Sequence, residues 1–241
     1  MIAPLMDSLP AAVCGVVLFG SKSRGDADTG SDTDLAVFAS AECPEDLVKI
    51  KDSMCRAFSD IMTNLSVYSV ATAELMAAEG SLFLWHLKSE GRVVFQREGW
   101  FERLLDHLAP YSSVKAERDL DTFAHVLGDV GSSLRRGEST IFFEAATLFS
   151  VLRSLGMIAA ALTGNPCFGR LEPIYRTREL MGPRFRLVDE EINLLLTAKL
   201  IYSRKKYHEV PQLTIVWCER VRQKVVEVWS FVRGLANAGV H

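Results

Sequence analysis

Residues 20–38 read GSKSRGDADTGSDTDLAVF: a Gly-Ser pair (Gly20, Ser21), ten intervening residues, and an Asp-x-Asp triplet (Asp32, Asp34) leading into an apolar run. On a strand, residues two apart share a face, so the two carboxylates would stand side by side, roughly 6–7 Å apart along the backbone, with Thr33 turned away. Adjacent carboxylates repel one another, and a divalent cation relieves that repulsion. Hard oxygen donors of this kind suit Mg2+, which keeps waters and completes its shell with substrate phosphates. Gly20 and Ser21, just past another apolar run, offer unhindered backbone N–H groups and a hydroxyl to an anion. Lys22 and Arg24 add positive charge to the same anion, and Gly25 and Gly30 supply turns that fold the connection back. These residue types together suit a phosphate chain held beside a metal ion. The alternative is a solvated loop rich in Asp and Gly, which has the same composition and no ligand.

Positioning those groups takes two strands, and the flanking runs supply them. Val13–Phe19 and Asp34–Ala39 are short, apolar and bounded by turn residues, so both read as buried strands. A helix starts near Pro44, with Leu47, Ile50, Met54, Phe58 and Ile61 as its apolar stripe. Leu65–Val70 reads as a third strand, Thr72–Ser89 as a helical stretch and Arg92–Gln96 as a fourth strand. From Trp100 onward helical patterns take over, at about 113–136, 140–163, 188–203 and 211–235. The segment from Thr140 is apolar nearly all round, which marks the central helix of a bundle. The expected fold class is α+β: a mixed sheet with helices over 1–98, then an all-α helical bundle over 99–241, with the hinge at Glu98-Gly99.

The 241 residues are 49% apolar, ample for a packed core, and the formal charge of −3 gives no basic field for long nucleic acid. Cys14, Cys43, Cys55, Cys167 and Cys218 are scattered singly, without metal-finger spacing, which fits a reducing, cytoplasmic setting. Asp7 sits where a secretory signal would be cationic, and no stretch is expected to be long and clean enough to span a bilayer.

Gly-Ser, ten residues and Asp-x-Asp between two strands resembles the signature of the DNA polymerase β-like nucleotidyltransferase superfamily. The match is to its small branch with a C-terminal helical domain, which includes aminoglycoside nucleotidyltransferases and the minimal nucleotidyltransferases of toxin–antitoxin pairs. The motif covers residues 16–38, and the order of elements extends it over about the first hundred, including FLWHLKSEGRVVF, which resembles the way such domains end. The resemblance implies that Gly20 and Ser21 hold a nucleoside triphosphate, expected to be ATP, and that Asp32 and Asp34 hold Mg2+; Lys22 and Arg24, from their charge, are expected to bind the same nucleotide. An acceptor hydroxyl then attacks the α-phosphorus and pyrophosphate leaves, with the helical domain on the acceptor side.

The pattern breaks at the third strand. Transferring members of the family usually carry a third carboxylate there, whereas this strand reads NLSVYSV, with Asn64 or Ser66 in the corresponding place. Neither is an effective base at neutral pH. One rescue is Glu144, the only acid in the apolar helix, because a helical-domain glutamate acts as the base in the aminoglycoside-modifying relatives. Arg153 is nine positions further on and, at about 100° per residue, falls on the opposite side of the helix, so the two cannot pair directly. An ion pair with an arginine of another helix explains a buried glutamate equally well. The other rescue is that the protein binds nucleotide without transferring it.

Other signals are weaker. Asp119 and Asp121 lie in a helical pattern, where residues two apart diverge by about 200°, and read as a solvated face. Arg204–His208 is one residue short of the Arg and His motif of HEPN-type ribonucleases. Arg170, Arg176, Arg178, Arg184 and Arg186 cluster about a stretch containing Pro173, Gly182 and Pro183 that reads as a loop, either lining an anion site or carrying ordinary ion pairs. The leading expectation is an Mg2+-dependent enzyme moving a nucleoside monophosphate to a hydroxyl on a small molecule. The alternatives are antitoxin-type transfer to a protein partner and a non-catalytic nucleotide-binding regulatory module. The expected partners are nucleotide and acceptor, not a membrane or long nucleic acid, and a homodimer is compatible with the sequence.

Overall fold

A computed structural model describes residues 9–25, 32–41, 43–57, 63–137, 140–204 and 212–239. Gly30, Phe58, Ile61 and most of the Arg204–His208 stretch lie outside them. The chain divides into two compact units, residues 1–111 and 112–241.

The first unit is built on a four-stranded mixed sheet of order β3-β2-β1-β4. Strands β1 (Val13–Phe19) and β2 (Thr33–Ala39) run antiparallel with Phe19 opposite Asp34. Strand β3 (Thr63–Ser69) is parallel to β2, and β4 (Arg92–Gln96) is antiparallel to β1. Period-two alternation sorts the strand residues between two cores. Val16, Leu18, Leu35 and Val37 meet Ile50 and Met54 of helix α2 (Pro44–Ala57) on one face. Val17, Ala36 and Phe38 meet Ala73, Leu84, Phe101 and Leu104 on the other. Asp34 has the parity of Ala36 and Phe38, so its side chain stands on this second face at the end of the sheet.

Between β1 and β2 comes a single helical turn, α1 (Ser21–Arg24). β3 ends at Ser69, one residue before the expected boundary, because the Ser69 hydroxyl accepts from the Thr72 N–H at 3.0 Å and starts helix α3 (Val70–Ala78). The stretch expected as one helix from Thr72 is two, α3 and α4 (Leu82–Glu90). Gly80 breaks it: its φ is 69°, and a Cβ there would lie 2.4 Å from the Pro110 carbonyl oxygen. Glu98 and Gly99 both take positive φ, 48° and 67°. The chain does not leave the unit at that turn. Helix α5 (Trp100–Asp106) folds back and buries Phe101 and Leu104 in the second core, and the division falls at Tyr111, not at Glu98-Gly99.

The second unit is all helical: α6 (Ser113–Arg136), α7 (Ile141–Leu162), α8 (Glu172–Met181), α9 (Asp189–Arg204) and α10 (Ile215–Ala238). Ser112, Thr140 and Thr214 cap α6, α7 and α10 through their hydroxyls. α7 packs on α6, α8, α9 and α10 and is the central helix. Contrary to the sequence expectation, α7 is long and apolar enough to cross a membrane, with a mean hydropathy of 1.7 over its best window. That window is 61% buried inside the unit, the burial expected of a core helix. The arginine-rich stretch expected as a loop contains α8 and a short 3₁₀ turn, Gly182–Arg184.

Candidate functional site

The site begins where β1 ends. Gly20 follows Phe19 with φ 74° and ψ −156°, a conformation that side chains disfavour. A Cβ on Gly20 would also lie 2.4 Å from Asp34 Oδ2, so glycine is demanded twice, by the backbone and by the carboxylate lying against it. The chain then turns through α1, whose Ser23 and Arg24 N–H groups each donate to the Gly20 carbonyl at 3.2 Å. Gly25 closes the turn in the left-handed conformation.

The turn is tied to the C-terminal end of α4. Ser23 Oγ donates to the Glu90 carbonyl at 2.5 Å, Arg24 donates to Glu90 Oε2 at 2.8 Å, and His86 Nε2 lies 3.2 Å from the same oxygen. Phe19 meets Phe83 and His86 edge-on, at 5.4 and 5.7 Å. Lys22 crosses to β2, where its Nζ donates to Thr33 Oγ1 at 2.7 Å. Sequence reading missed Glu90, His86 and the contact to Thr33. Glu90 and His86 share an α4 face at i, i+4 spacing, but no pattern links them to Arg24, 66 positions before Glu90.

Asp32 precedes β2, half-buried, and Asp34 is the second residue of that strand. The parallel register sets Asn64 directly beside Asp34, and Asn64 Nδ2 donates to Asp34 Oδ1 at 3.2 Å. Of the two residues considered for the place of a third acid, Asn64 therefore stands next to the pair, while Ser66 is opposite Ala36. Burial pushes the Asp34 carboxyl above its usual range. The Asn64 hydrogen bond opposes that, the Asp32 charge reinforces it, and Arg24 and Lys22 partly offset it.

Gly20, Ser21, Lys22, Arg24, Asp32 and Asp34 are thus brought together at one end of the sheet. Among the described residues no group of three or more His, Cys, Asp or Glu converges on a metal position. Two hard carboxylates side by side, one of them raised in pKa by burial with Asn64, Arg24 and Lys22 partly offsetting it, suit a cation that shares its shell with waters and phosphates. The residues present fit Mg2+ in that sense.

Glu144 belongs to the second unit, in the first turn of α7, and is only 3% exposed. Its charge reaches Cys218 of α10, whose thiol is pushed up to about 12 by burial first and by Glu144 and Glu219 after it. Arg153 instead donates to the Phe168 and Gly169 carbonyls, at 2.5 and 2.9 Å. Four of the five arginines about α8 have partners within the unit. Arg176 pairs with Glu179 at 3.1 Å, Arg178 with Asp189 at 2.7 Å and Arg186 with Glu227 at 3.2 Å, while Arg184 lies over the Phe231 ring at 5.3 Å. Asp119 pairs with Lys115 and Asp121 with Arg233, so the helical Asp-x-Asp is a solvated, ion-paired face.

Residues 6–99 match the family model described as polymerase beta, nucleotidyltransferase. No curated protein matches the sequence. Among solved structures, a spectinomycin adenyltransferase from Enterococcus faecialis, with ATP and spectinomycin, aligns over 93% of this chain and 95% of its own at 11% identity and a TM-score of 0.50. A toxin–antitoxin structure with AMP-PNP aligns over 57% of this chain and 96% of its own (14% identity, TM-score 0.31). A nucleotidyltransferase-like protein from Exiguobacterium sibiricum aligns over 95% and 70% (10% identity, TM-score 0.34). At such identities the first of these speaks to the fold alone. The family match spans all four strands of the N-terminal unit, where the Gly-Ser turn lies against Asp34, so that unit is similar to polymerase beta nucleotidyltransferase domains, while the second unit lies outside the match.

Proposed function

We propose that the protein is a nucleotidyltransferase that moves a nucleoside monophosphate from an NTP, ATP first among them, to a hydroxyl on a small molecule. The observation that supports the reading is the approach of Gly20 to Asp34 Oδ2, which sets the turn against one of the two acids. In this reading the Gly20–Ser21 backbone and hydroxyl, with Lys22, take the triphosphate, and Arg24 fixes the turn through Glu90. Asp32 and Asp34 would hold Mg2+, which when bound offsets the negative charge of the phosphates and of the pyrophosphate that leaves. The acceptor hydroxyl attacks the α-phosphorus and must lose its proton, and Glu144 is the proposed base.

One observation favours a second reading. Asn64 stands beside Asp34, and an amide neither adds charge to the pair nor takes a proton at neutral pH. A site of that composition suits nucleotide binding without transfer, as in a regulatory module. The two readings separate in one experiment. Pyrophosphate release is followed with each of the four NTPs and Mg2+, with and without a panel of hydroxyl acceptors, beside equilibrium nucleotide binding. Acceptor-dependent release supports transfer, binding without release supports the regulatory module, and the absence of both refutes the site.

A further inference from the structure

The second unit carries a partly open cavity of about 250 Å3 lined by α6, α7 and α9. Phe123 and Val126 of α6 and Tyr202 of α9 give it apolar walls, and Phe143, which meets Tyr202 edge-on at 5.3 Å, is 40% exposed at its rim. The α7 face is unusual for so apolar a helix. Thr147, Ser150 and Ser154 recur there at helical spacing and line the hollow. The Ser150 hydroxyl donates to the Ala146 carbonyl of its own helix, so Thr147 and Ser154 are the hydroxyl-bearing lining residues offered to a guest.

Among the described residues, Lys199 of α9 is the only ionisable lining residue besides the phenol of Tyr202. Its ammonium takes no acceptor among the described residues, and no acid lines the cavity there. Burial, and after it the charge of Arg153, pushes the Lys199 pKa down, as expected for a cation without a counterion. A half-buried cation in an apolar hollow, with hydroxyl donors beside it, has the chemistry of an anion receptor. The volume is slightly below the roughly 300–1,000 Å3 of ordinary ligand pockets, so the guest is compact.

We propose that this cavity is a binding site for a small organic carboxylate with an aromatic or branched apolar body, its carboxylate on Lys199 and its body between Phe123 and Tyr202. The assignment concerns the second unit alone and does not rest on the nucleotide reading.

The test uses the full chain, without nucleotide, in isothermal titration with phenylacetate, benzoate, phenylacetamide and phenethylamine. The expected order has the two carboxylates bound at least about tenfold more tightly than the amide or the amine. Lys199→Gln should weaken phenylacetate about tenfold or more, Lys199→Arg should retain it within about threefold, and Ser154→Phe, which fills the hollow, should abolish it. Helical circular dichroism checks that each variant is folded. If Lys199→Gln does not fold, Ser154→Phe and the ligand series on the unchanged chain decide alone. No carboxylate binding at millimolar concentration, equal binding of the amide, or binding that survives Ser154→Phe overturns the proposal, whatever becomes of the nucleotide site.

Discussion

Asp34 is held between opposite demands: burial and Asp32 favour its neutral form, while Asn64, Arg24 and Lys22 favour its charge. Its folded pKa lies above the ordinary value of 3.8, so the folded state favours the proton. That contribution is fully present below 3.8 and is lost as pH rises through the raised value. Asp34→Asn should therefore raise the melting temperature of the metal-free protein at pH 7, and the gain should vanish in acid, where both forms are neutral. The same variant, and Asp32→Asn, should lose Mg2+-dependent nucleotide binding and any transfer, because the amide removes the charge a cation needs. Full Mg2+-dependent binding by either variant in a titration would refute the metal assignment. Gly20→Ala tests the turn. A Cβ 2.4 Å from Asp34 Oδ2 at φ 74° must displace either the carboxylate or the backbone. The expected cost is about 1–3 kcal/mol of stability together with a loss of nucleotide affinity of about tenfold or more. Unchanged affinity in Gly20→Ala would separate the turn from the site.

At the scale of elements, α10 is tied to α6 through Arg222, which meets Glu219 at 2.8 and 2.7 Å and donates to the Leu127 carbonyl at 3.2 Å. The Arg222 hydrogen bonds hold the Glu219 carboxyl below its usual 4.5, against the opposing effect of burial. A depressed carboxylate stabilises the fold above its unfolded value, and that stability is lost as pH falls through the folded one. Glu219→Gln should therefore cost at most about 1 kcal/mol at pH 7, since the pair is partly exposed, and nothing at acid pH. A thermal melt of both proteins at the two pH values checks this. The same local chemistry explains which elements could be read in advance. β1, β4, α6, α7 and α9 were legible because a continuous apolar run or a 3.6 period needs only near neighbours. α8 was not, because its arginines, with Pro173 and Gly182 at its ends, have the composition of a loop, and its helicity is supported by Ile174 and Met181 packing in the unit. Gly80 was legible as a breaker only with Pro110, 30 positions on, in view. At the site, Gly20, Asp32 and Asp34 could be picked out by spacing, whereas the choice of Asn64 over Ser66 needed the β2–β3 register, which no local pattern encodes.

For the molecule as a whole, the proposed base, Glu144, is in the unit that does not contain Asp32 and Asp34. If Glu144 is the base, Glu144→Gln should leave nucleotide affinity nearly unchanged and lower transfer on the order of 10²–10⁴-fold. A purely structural Glu144, 3% exposed, would instead show its loss as a lower melting temperature, with typical penalties of roughly 3–5 kcal/mol for breaking a buried pair. Turnover and melting temperature measured on the same variant discriminate, and a destabilised protein with unchanged specific activity would end the catalytic assignment. The tie between Arg24 and Glu90 bears as well on the protein's synthesis. The Gly-Ser turn is encoded within the first 25 residues, yet it is anchored 66 positions later, and β1 gains its second neighbour only with β4 at Arg92–Gln96. A chain still emerging from the ribosome therefore carries β1 with one edge unsatisfied and its turn untethered until that last strand is free to pair. The Gly-Ser turn is then fixed in a single step, when the unit closes.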